Sequence, residues 1–419
     1  MAPEIVELTW NQKSLAGNIM LPASKSICNR MLILRHLAGN SFELKNISDA
    51  DDSQNLLSNL EKLQKNLFPL TLDVGHAGTN MRFLTALLAQ TEGEYILKGS
   101  PRMHQRPVKI LVDALNHLGA KIEYLETNGY PPLRISGQNL RGGKLSIPAG
   151  VSSQYISALM MTAPNMKQGL HLEFSSPVVS YPYLEMTQQL MEALEMEVHL
   201  SPDYVRIPRQ NISRTLPFHI ESDWSAASYW YAMAVLVPEI KMTLQGLKNN
   251  SFQGDRRVAN MFQDFGIDSV FHENGVTLQK QWQPLPDNLQ PDLTETPDLA
   301  QTIIVLAALL GIEGRFTGLQ TLAIKETNRL AALQQELKKF GIIAQITSNQ
   351  LVLPKQPLHP PQDSIATYND HRMAMAFAPA AILFGHLKIQ HPAVTGKSYP
   401  AFWNHLRQAG FDLTYKSES

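Results

Sequence analysis

The basic residues of this chain gather at a few short turns. Lys25 and Arg30 belong to Pro22-Ala23-Ser24-Lys25-Ser26 and the segment after it, and Arg82 follows Gly75-His76-Ala77-Gly78-Thr79. Arg102 and Arg106 occupy the next loop, and Lys325 and Arg329 flank Glu326-Thr327-Asn328. Arg372 closes Tyr368-Asn369-Asp370-His371-Arg372, and Lys397 sits in Thr395-Gly396-Lys397-Ser398. A guanidinium is a planar fork that matches carboxylate and phosphate, whereas an ammonium is a compact point charge. The mixture suits ligands that carry a phosphate together with carboxylates. Any one of these residues alone reads as an ordinary solvated charge; the grouping carries the inference.

Two acids stand out by context. Asp298 precedes a very apolar run, whose low polarity would raise its proton affinity, while Glu326 lies beside Lys325 and Arg329, whose charges would keep it ionised. Two carboxyl groups held in different surroundings can act as base and acid in one reaction. The plainer alternatives are a helix cap for Asp298 and an i,i+3 partner of Arg329 for Glu326.

Other chemistries lack their motifs. Gly396-Lys397-Ser398 has the end of a phosphate loop without the leading glycine at the required spacing, so ATP use is not supported. There is no His-Glu-x-x-His pattern and no Gly-x-Ser-x-Gly elbow, and the 13 histidines show no ligand spacing. Neither a metal site nor a cofactor site is expected. The single cysteine, Cys28, excludes an intramolecular disulfide and reads as a lone buried thiol in a reducing compartment. A formal net charge of -1 gives no global field for nucleic acid. The runs 302–310 and 373–384 fall short of the roughly 20 apolar residues that a membrane span needs. Met1 to Asn11 carries no apolar leader, so a cytoplasmic protein without membrane anchoring is the expectation.

The elements that must position these groups follow one pattern. With 419 residues the chain exceeds one ordinary core, and two domains are expected. A short β-like run, a turn of small and polar residues and a nearly all-apolar helix recur six times, with turns at 22–26, 75–79, 150–154, 221–225, 296–298 and 368–372. After a shorter first step the period is about 70 residues, which indicates an internally repeated αβ architecture. The helical runs 31–37, 83–89, 156–161, 229–237, 303–310 and 373–383 are nearly all apolar and should be buried on most sides. Segments 108–118, 184–196 and 326–340 are amphipathic and read as outer helices, and 145–147, 205–207 and Ile220 supply strands. If the buried helices run parallel in two groups of three, their N-termini converge and gather anions. A serine, aspartate or asparagine at such a turn also serves as a plain N-cap.

Six of these segments together closely resemble the EPSP synthase family: Leu21 to Arg30, Gly75 to Arg82, Pro101 to Pro107, Val151 to Tyr155, Lys325 to Arg329 and Asp370 to Met375. They occur in the family's order over nearly the whole chain. The resemblance implies an α/β protein, a two-domain inverse αβ barrel in which each domain is three βαβαββ repeats with parallel buried helices. A two-stranded hinge near 17–22 and 219–222 should let the domains close over the ligands. Residues 1–20 plus 222–419 form one domain, which carries mainly the phosphoenolpyruvate side and the acid and base residues. Residues 21–221 form the other, which carries mainly the shikimate 3-phosphate side.

The implied reaction moves the enolpyruvyl group of phosphoenolpyruvate onto the 5-hydroxyl of shikimate 3-phosphate and releases phosphate, without cofactor or metal, in a monomer. Carried over by motif, Lys25, Ser26, Arg30, Ser152, Ser153, Gln154, Ser180, Asp298 and Lys325 hold shikimate 3-phosphate. Lys25, Gly78, Arg106, Gln154, Arg329, Arg372 and Lys397 hold phosphoenolpyruvate. Asp298, Glu326 and Lys25 are the catalytic residues. The sequence departs from the family pattern at His76, Phe83, Thr321 and Asn328, whereas Gly78 keeps the small residue that implies sensitivity to glyphosate. Two alternatives stay in view. The sister transferase that uses UDP-N-acetylglucosamine usually carries a cysteine in its reactive loop, and 98–106 has none; the other alternative is a noncatalytic anion-binding protein.

Overall fold

The computed structural model describes residues 4–65, 68–150, 152–212 and 215–417. Val151 of the third turn and the first residues of the N-terminal segment lie outside the described residues. The chain divides into two compact units, Lys25–Ile220 and a discontinuous unit of Met1–Ser24 with Glu221–Ser419. The division falls later than 20/21 and earlier than 221/222, and hydrogen bonds account for the shift. Ser24 N–H donates to the Glu221 carbonyl at 2.8 Å, Asp223 N–H donates to the Pro22 carbonyl at 2.9 Å, and Ala23 bridges Ser222, so these residues stay with the discontinuous unit.

Four sheets share one strand order, with a parallel pair followed by two antiparallel pairings. In the Lys25–Ile220 unit, Leu70–Asp73 runs parallel to Gly93–Lys98, which pairs with Leu133–Gly137 and then Lys121–Tyr124. Gly143–Ile147, Leu170–Phe174, Tyr204–Ile207 and His199–Leu200 repeat the arrangement. In the discontinuous unit, Ser14–Met20, Glu239–Gln245, Gly275–Lys280 and Ile267–His272 do the same, as do Asn288–Leu289, Glu313–Phe316, Leu351–Leu353 and Gln345–Ile346. Ile5–Thr9 lies between His386–Gln390 and Asp412–Lys416, antiparallel to both. Phe218–His219 pairs with Leu44–Lys45, which leaves Ile220 one residue past its strand.

The apolar runs form helices that few residues expose. Trp224–Leu236 and Ala300–Leu309 are buried nearly throughout, because helices apolar on every side lose least free energy when no face meets water. Asp223 starts the former by accepting from the N–H groups of Ser225 (2.7 Å) and Ala226 (3.2 Å), which satisfies donors that the helix itself leaves open. The run 373–383 is two helices, His371–Phe377 and Ala380–Phe384, because Pro379 between them lacks an N–H and clashes with the preceding turn. The expected outer helix 326–340 begins only at Arg329: Asn328 Oδ1 accepts from Ala331 N–H at 3.2 Å, so Glu326 lies outside the helix. Among the described residues no helix is long and apolar enough to cross a membrane.

Candidate active site

In the Lys25–Ile220 unit the expected residues sit at three helix starts. Lys25 and Ser26 open the helix Lys25–Leu37, and Lys25 Nζ pairs with Asp52 Oδ2 at 3.0 Å. Gly78 opens the helix Gly78–Gln90, whose N-cap, Ala77, offers no capping side chain. Ser153 and Gln154 open Ser153–Thr162, while Ser152 caps it by accepting from Gln154 N–H at 3.3 Å. The cap reading therefore holds for the Ser152 hydroxyl. Gln154 Nε2 reaches Thr79 Oγ1 at 3.1 Å, which brings the second and third turns together. Ser180 is buried with φ at 57°, a left-handed conformation that a non-glycine residue holds only under local constraint.

Gly78 and Arg106 are matched. A Cβ built on Gly78 would lie 2.6 Å from Nη2 and 2.7 Å from Cζ of Arg106, so the buried guanidinium covers the face that glycine leaves bare. The adjoining Pro107 carbonyl accepts from Arg82 Nη2 at 2.9 Å and from the Tyr155 hydroxyl at 2.6 Å, which fixes the loop that carries Arg106. Arg82 also donates to the Gly78 carbonyl at 3.0 Å. Its guanidinium is thereby committed to the backbone, and the expectation that Arg82 adds to a set of anion-facing cations gives way to a role as a clamp.

Arg30 is likewise internal. Its Nε donates to Thr187 Oγ1 at 2.8 Å, Nη1 to the Ser26 carbonyl at 2.9 Å, and Nη2 to Ser157 Oγ at 3.2 Å. The rings of Phe83 and Tyr183 lie 5.4 and 5.7 Å from the guanidinium carbon. Burial among these neutral partners pushes its pKa down to about 10. Phe83, one of the departures from the family pattern, is part of that setting.

The discontinuous unit gathers its expected residues into one network. Asp298 faces Arg329 Nη1 (3.2 Å), Arg372 Nη2 (3.2 Å) and Lys325 Nζ (3.9 Å). Glu326 accepts from Arg329 Nη2 at 2.9 Å and pairs with Lys397 Nζ at 3.0 Å. Two expectations change here. Asp298 is not the helix cap, since Leu299 holds that position, and its carboxylate meets three cations instead of apolar surroundings. Arg329 is buried, which opposes its charge, but Asp370, Glu326 and Asp298 outweigh burial and hold its pKa above the ordinary arginine value.

Asp370 was not singled out in the sequence. It grips Arg329 through both carboxylate oxygens, at 2.7 Å to Nε and 3.4 Å to Nη2, and caps His371–Phe377 by accepting from Arg372 N–H at 2.9 Å. The available signal was its place before an apolar run, the same as that of Asp223. Tyr368 and Asn369 adopt left-handed φ values of 52° and 56° just before it, and the Tyr368 hydroxyl is tied to Glu336 Oε1 at 2.7 Å. Arg372 Nη1 also donates to the Asp298 carbonyl at 2.8 Å, which ties the segment carrying Asp298 to the helix His371–Phe377.

Among the other departures, His76 is exposed and the buried Thr321 hydroxyl has no hydrogen-bond partner among the described residues. Cys28 is buried, and burial raises its thiol pKa, which makes it unreactive.

A family model described as EPSP synthase (3-phosphoshikimate 1-carboxyvinyltransferase) matches residues 10–406. A 3-phosphoshikimate 1-carboxyvinyltransferase of Bacteroides fragilis (strain YCH46) is 44% identical over 407 residues, covering 96% of this chain and 98% of the relative. The enzyme of the same name from Haemophilus influenzae (strain ATCC 51907 / DSM 11121 / KW20 / Rd) is 34% identical over 427 residues, covering 94% and 96%. The fold is similar to that of EPSP synthase from Acinetobacter baumannii, with a TM-score of 0.76 at 18% identity over 98% of this chain and 100% of that one.

Proposed function

The chain belongs to the EPSP synthase family, and on that premise we propose how its own residues perform the transfer of the enolpyruvyl group from phosphoenolpyruvate to shikimate 3-phosphate. The observation that carries the reading is the discontinuous unit's network, in which Asp298 and Glu326 share one buried guanidinium, Arg329. Carboxylates and cations held this close can both bind an anionic substrate and move protons.

We assign phosphoenolpyruvate to Lys25, Gly78, Arg106, Gln154, Arg329, Arg372 and Lys397, and shikimate 3-phosphate to Lys25, Ser26, Arg30, Ser152, Ser153, Gln154, Ser180, Asp298 and Lys325. The helix starts at Lys25 and Ser153 suit a phosphate, because open N–H groups and the dipole end favour negative charge. The Arg106 guanidinium, packed against the bare face of Gly78, supports the reading as a positive charge held close to that helix start, where a small anion would be favoured. The same fit supports sensitivity to glyphosate. The finer architecture belongs to the proposal too: two inverse αβ barrels of three repeats each, for which the shared strand order of the four sheets is the support.

In this mechanism Asp298 takes the proton of the 5-hydroxyl as its oxygen bonds to C2 of phosphoenolpyruvate. Glu326 with Lys25 delivers a proton to the methylene carbon C3, making C2 electrophilic. The tetrahedral adduct then returns the C3 proton and releases phosphate from C2, which leaves the enol ether. Each step redistributes charge that Arg329, Arg372 and the lysines are held to meet without reorganising. A cytoplasmic, monomeric enzyme is the accompanying reading, drawn from family resemblance.

The test is phosphate release from phosphoenolpyruvate by the purified protein with either shikimate 3-phosphate or UDP-N-acetylglucosamine as acceptor. Release with shikimate 3-phosphate alone, together with the enol ether product, is expected. Release only with the nucleotide sugar, or with neither acceptor, overturns the assignment.

A further inference from the structure

Behind Arg372 lies a buried acid that the mechanism does not use. Asp255 stands in the short helical turn Gly254–Arg257 and is only 5% exposed. Its Oδ2 accepts from the hydroxyl of Ser225, in the first turn of Trp224–Leu236. The same hydroxyl oxygen accepts from Arg372 Nη2 at 3.5 Å, and that nitrogen also meets Asp298 Oδ2 at 3.2 Å. A relay therefore runs from Asp255 through Ser225 to Nη2 of Arg372, while Nη1 donates to the Asp298 carbonyl at 2.8 Å and to the Tyr229 hydroxyl at 3.4 Å.

The charged groups that face Asp255 are Asp298 before one helix, Asp223 at the cap of another and Arg372 on a third. Burial, followed by the charge of Asp298, pushes the Asp255 carboxyl up to about 7, so it is charged in mildly alkaline solution despite its surroundings. An acid kept in so costly a setting, with one hydroxyl between it and an arginine, has a geometric consequence. It restrains the rotation of a guanidinium whose planar fork must meet a carboxylate in one orientation.

We infer that Asp255, acting through the Ser225 hydroxyl, is a positioning residue that orients Arg372 for phosphoenolpyruvate. The inference rests on the assignment of Arg372 to that substrate. Asp255 does not touch the reacting atoms. Its removal weakens binding of one substrate and leaves the other alone.

The experiment measures initial rates of phosphate release at pH 8 for the full chain and for Asp255→Asn, Ser225→Ala, the double variant and Arg372→Gln, each checked for folding by circular dichroism. In Asp255→Asn the KM for phosphoenolpyruvate should rise about tenfold, the scale of one weakened hydrogen bond to a charged group, while the KM for shikimate 3-phosphate stays within about twofold. Ser225→Ala, which cuts the relay that Asp255→Asn weakens, should give the same split at least as strongly, and the double variant should be no worse than Ser225→Ala alone. Should Asp255→Asn fail to fold, Ser225→Ala carries the same test.

An unchanged KM for phosphoenolpyruvate in folded variants, an equal rise for both substrates, or additive effects in the double variant overturns the inference. If those results come with a large rise in Arg372→Gln, only the relay is wrong. If Arg372→Gln leaves the KM for phosphoenolpyruvate unchanged, the substrate assignment fails and the relay falls with it.

Discussion

Arg30 and Arg329 are both buried arginines on helices, yet their surroundings differ in kind. Arg30 rests on hydroxyls, carbonyls and aromatic faces, and burial pulls its pKa down to about 10. Arg329 is enclosed by the carboxylates of Asp370, Glu326 and Asp298, which hold its charge more firmly than water does. The first arrangement surrounds the positive charge with neutral partners, and no carboxylate in that lining offsets the cost of burying it. The second is neutralised in advance, and its carboxylates are the groups that can exchange protons. One guanidinium is lined by neutral groups and the other by acids, and the two settings should answer differently to substitution.

The largest effect should come from breaking the acid-lined setting. Asp298→Asn should lower kcat by about 10² to 10⁴, the range of a lost general base, and Glu326→Gln should lower it comparably. Steady-state phosphate release checks both, and near-normal turnover in the two variants would falsify their assignment.

A stability measurement sharpens the contrast between the two arginines. Arg329→Met removes the cation that Asp370, Glu326 and Asp298 share and should cost about 3–5 kcal/mol, whereas Arg30→Met strands only neutral partners and should cost about 1–3 kcal/mol. Urea denaturation of both variants should place Arg329→Met at the lower midpoint.

Gly78→Ala probes the unit that holds Arg30. The added methyl meets the Arg106 guanidinium, so the KM for phosphoenolpyruvate should rise, by about 10-fold if the displacement disturbs a single charged contact, with little change for shikimate 3-phosphate. Equal changes for both substrates would show that the pair is not specific to one.

The smallest effects concern single supports. Asn328→Ala should lower stability by about 1 kcal/mol, the worth of an N-cap, as read from the denaturation midpoint. For Asp255 the folded pKa lies above the unfolded one, so the stability gained by keeping the acid protonated is present below about pH 4 and is lost as pH rises through about 7. After burial, the charges of Asp298 and Asp223 add to that upward shift, and the Ser225 hydrogen bond and Arg372 oppose it. Thermal midpoints should therefore favour Asp255→Asn over the parent protein at pH 8 and converge at pH 4. Parallel profiles would show that Asp255 is not held in this way.

The helices were legible in the sequence because apolar runs such as 303–310 have no face that water could occupy. The turns before them were legible because residues such as Asp223 and Asp370 are types that satisfy open N–H groups, whereas the Asn328 cap, which starts an outer helix at Arg329, did not show in the amphipathic pattern of 326–340. What the sequence withheld is where a guanidinium points. Arg82 and Arg106 both border the Gly78 region, but Arg82 closes on the carbonyls of Gly78 and Pro107 while Arg106 covers the bare face of Gly78. The surroundings of Asp298 were misjudged for the same reason. Its neighbours in sequence are apolar, and its neighbours in space, Arg329 and Arg372, come from segments far along the chain.

The strand Ile5–Thr9 has one further consequence. Its two partners, His386–Gln390 and Asp412–Lys416, lie far along the chain, so the strand leaves the ribosome well before either of them. The Lys25–Ile220 unit is continuous and can complete its own sheets while synthesis proceeds. Ile5–Thr9 must meanwhile wait for partners that are made much later. A polar face along that strand is thus a safeguard during biosynthesis: Glu7, which later accepts Lys388 at 3.2 Å and Lys416 at 2.8 Å, places a negative charge on an edge that would otherwise invite association between nascent chains.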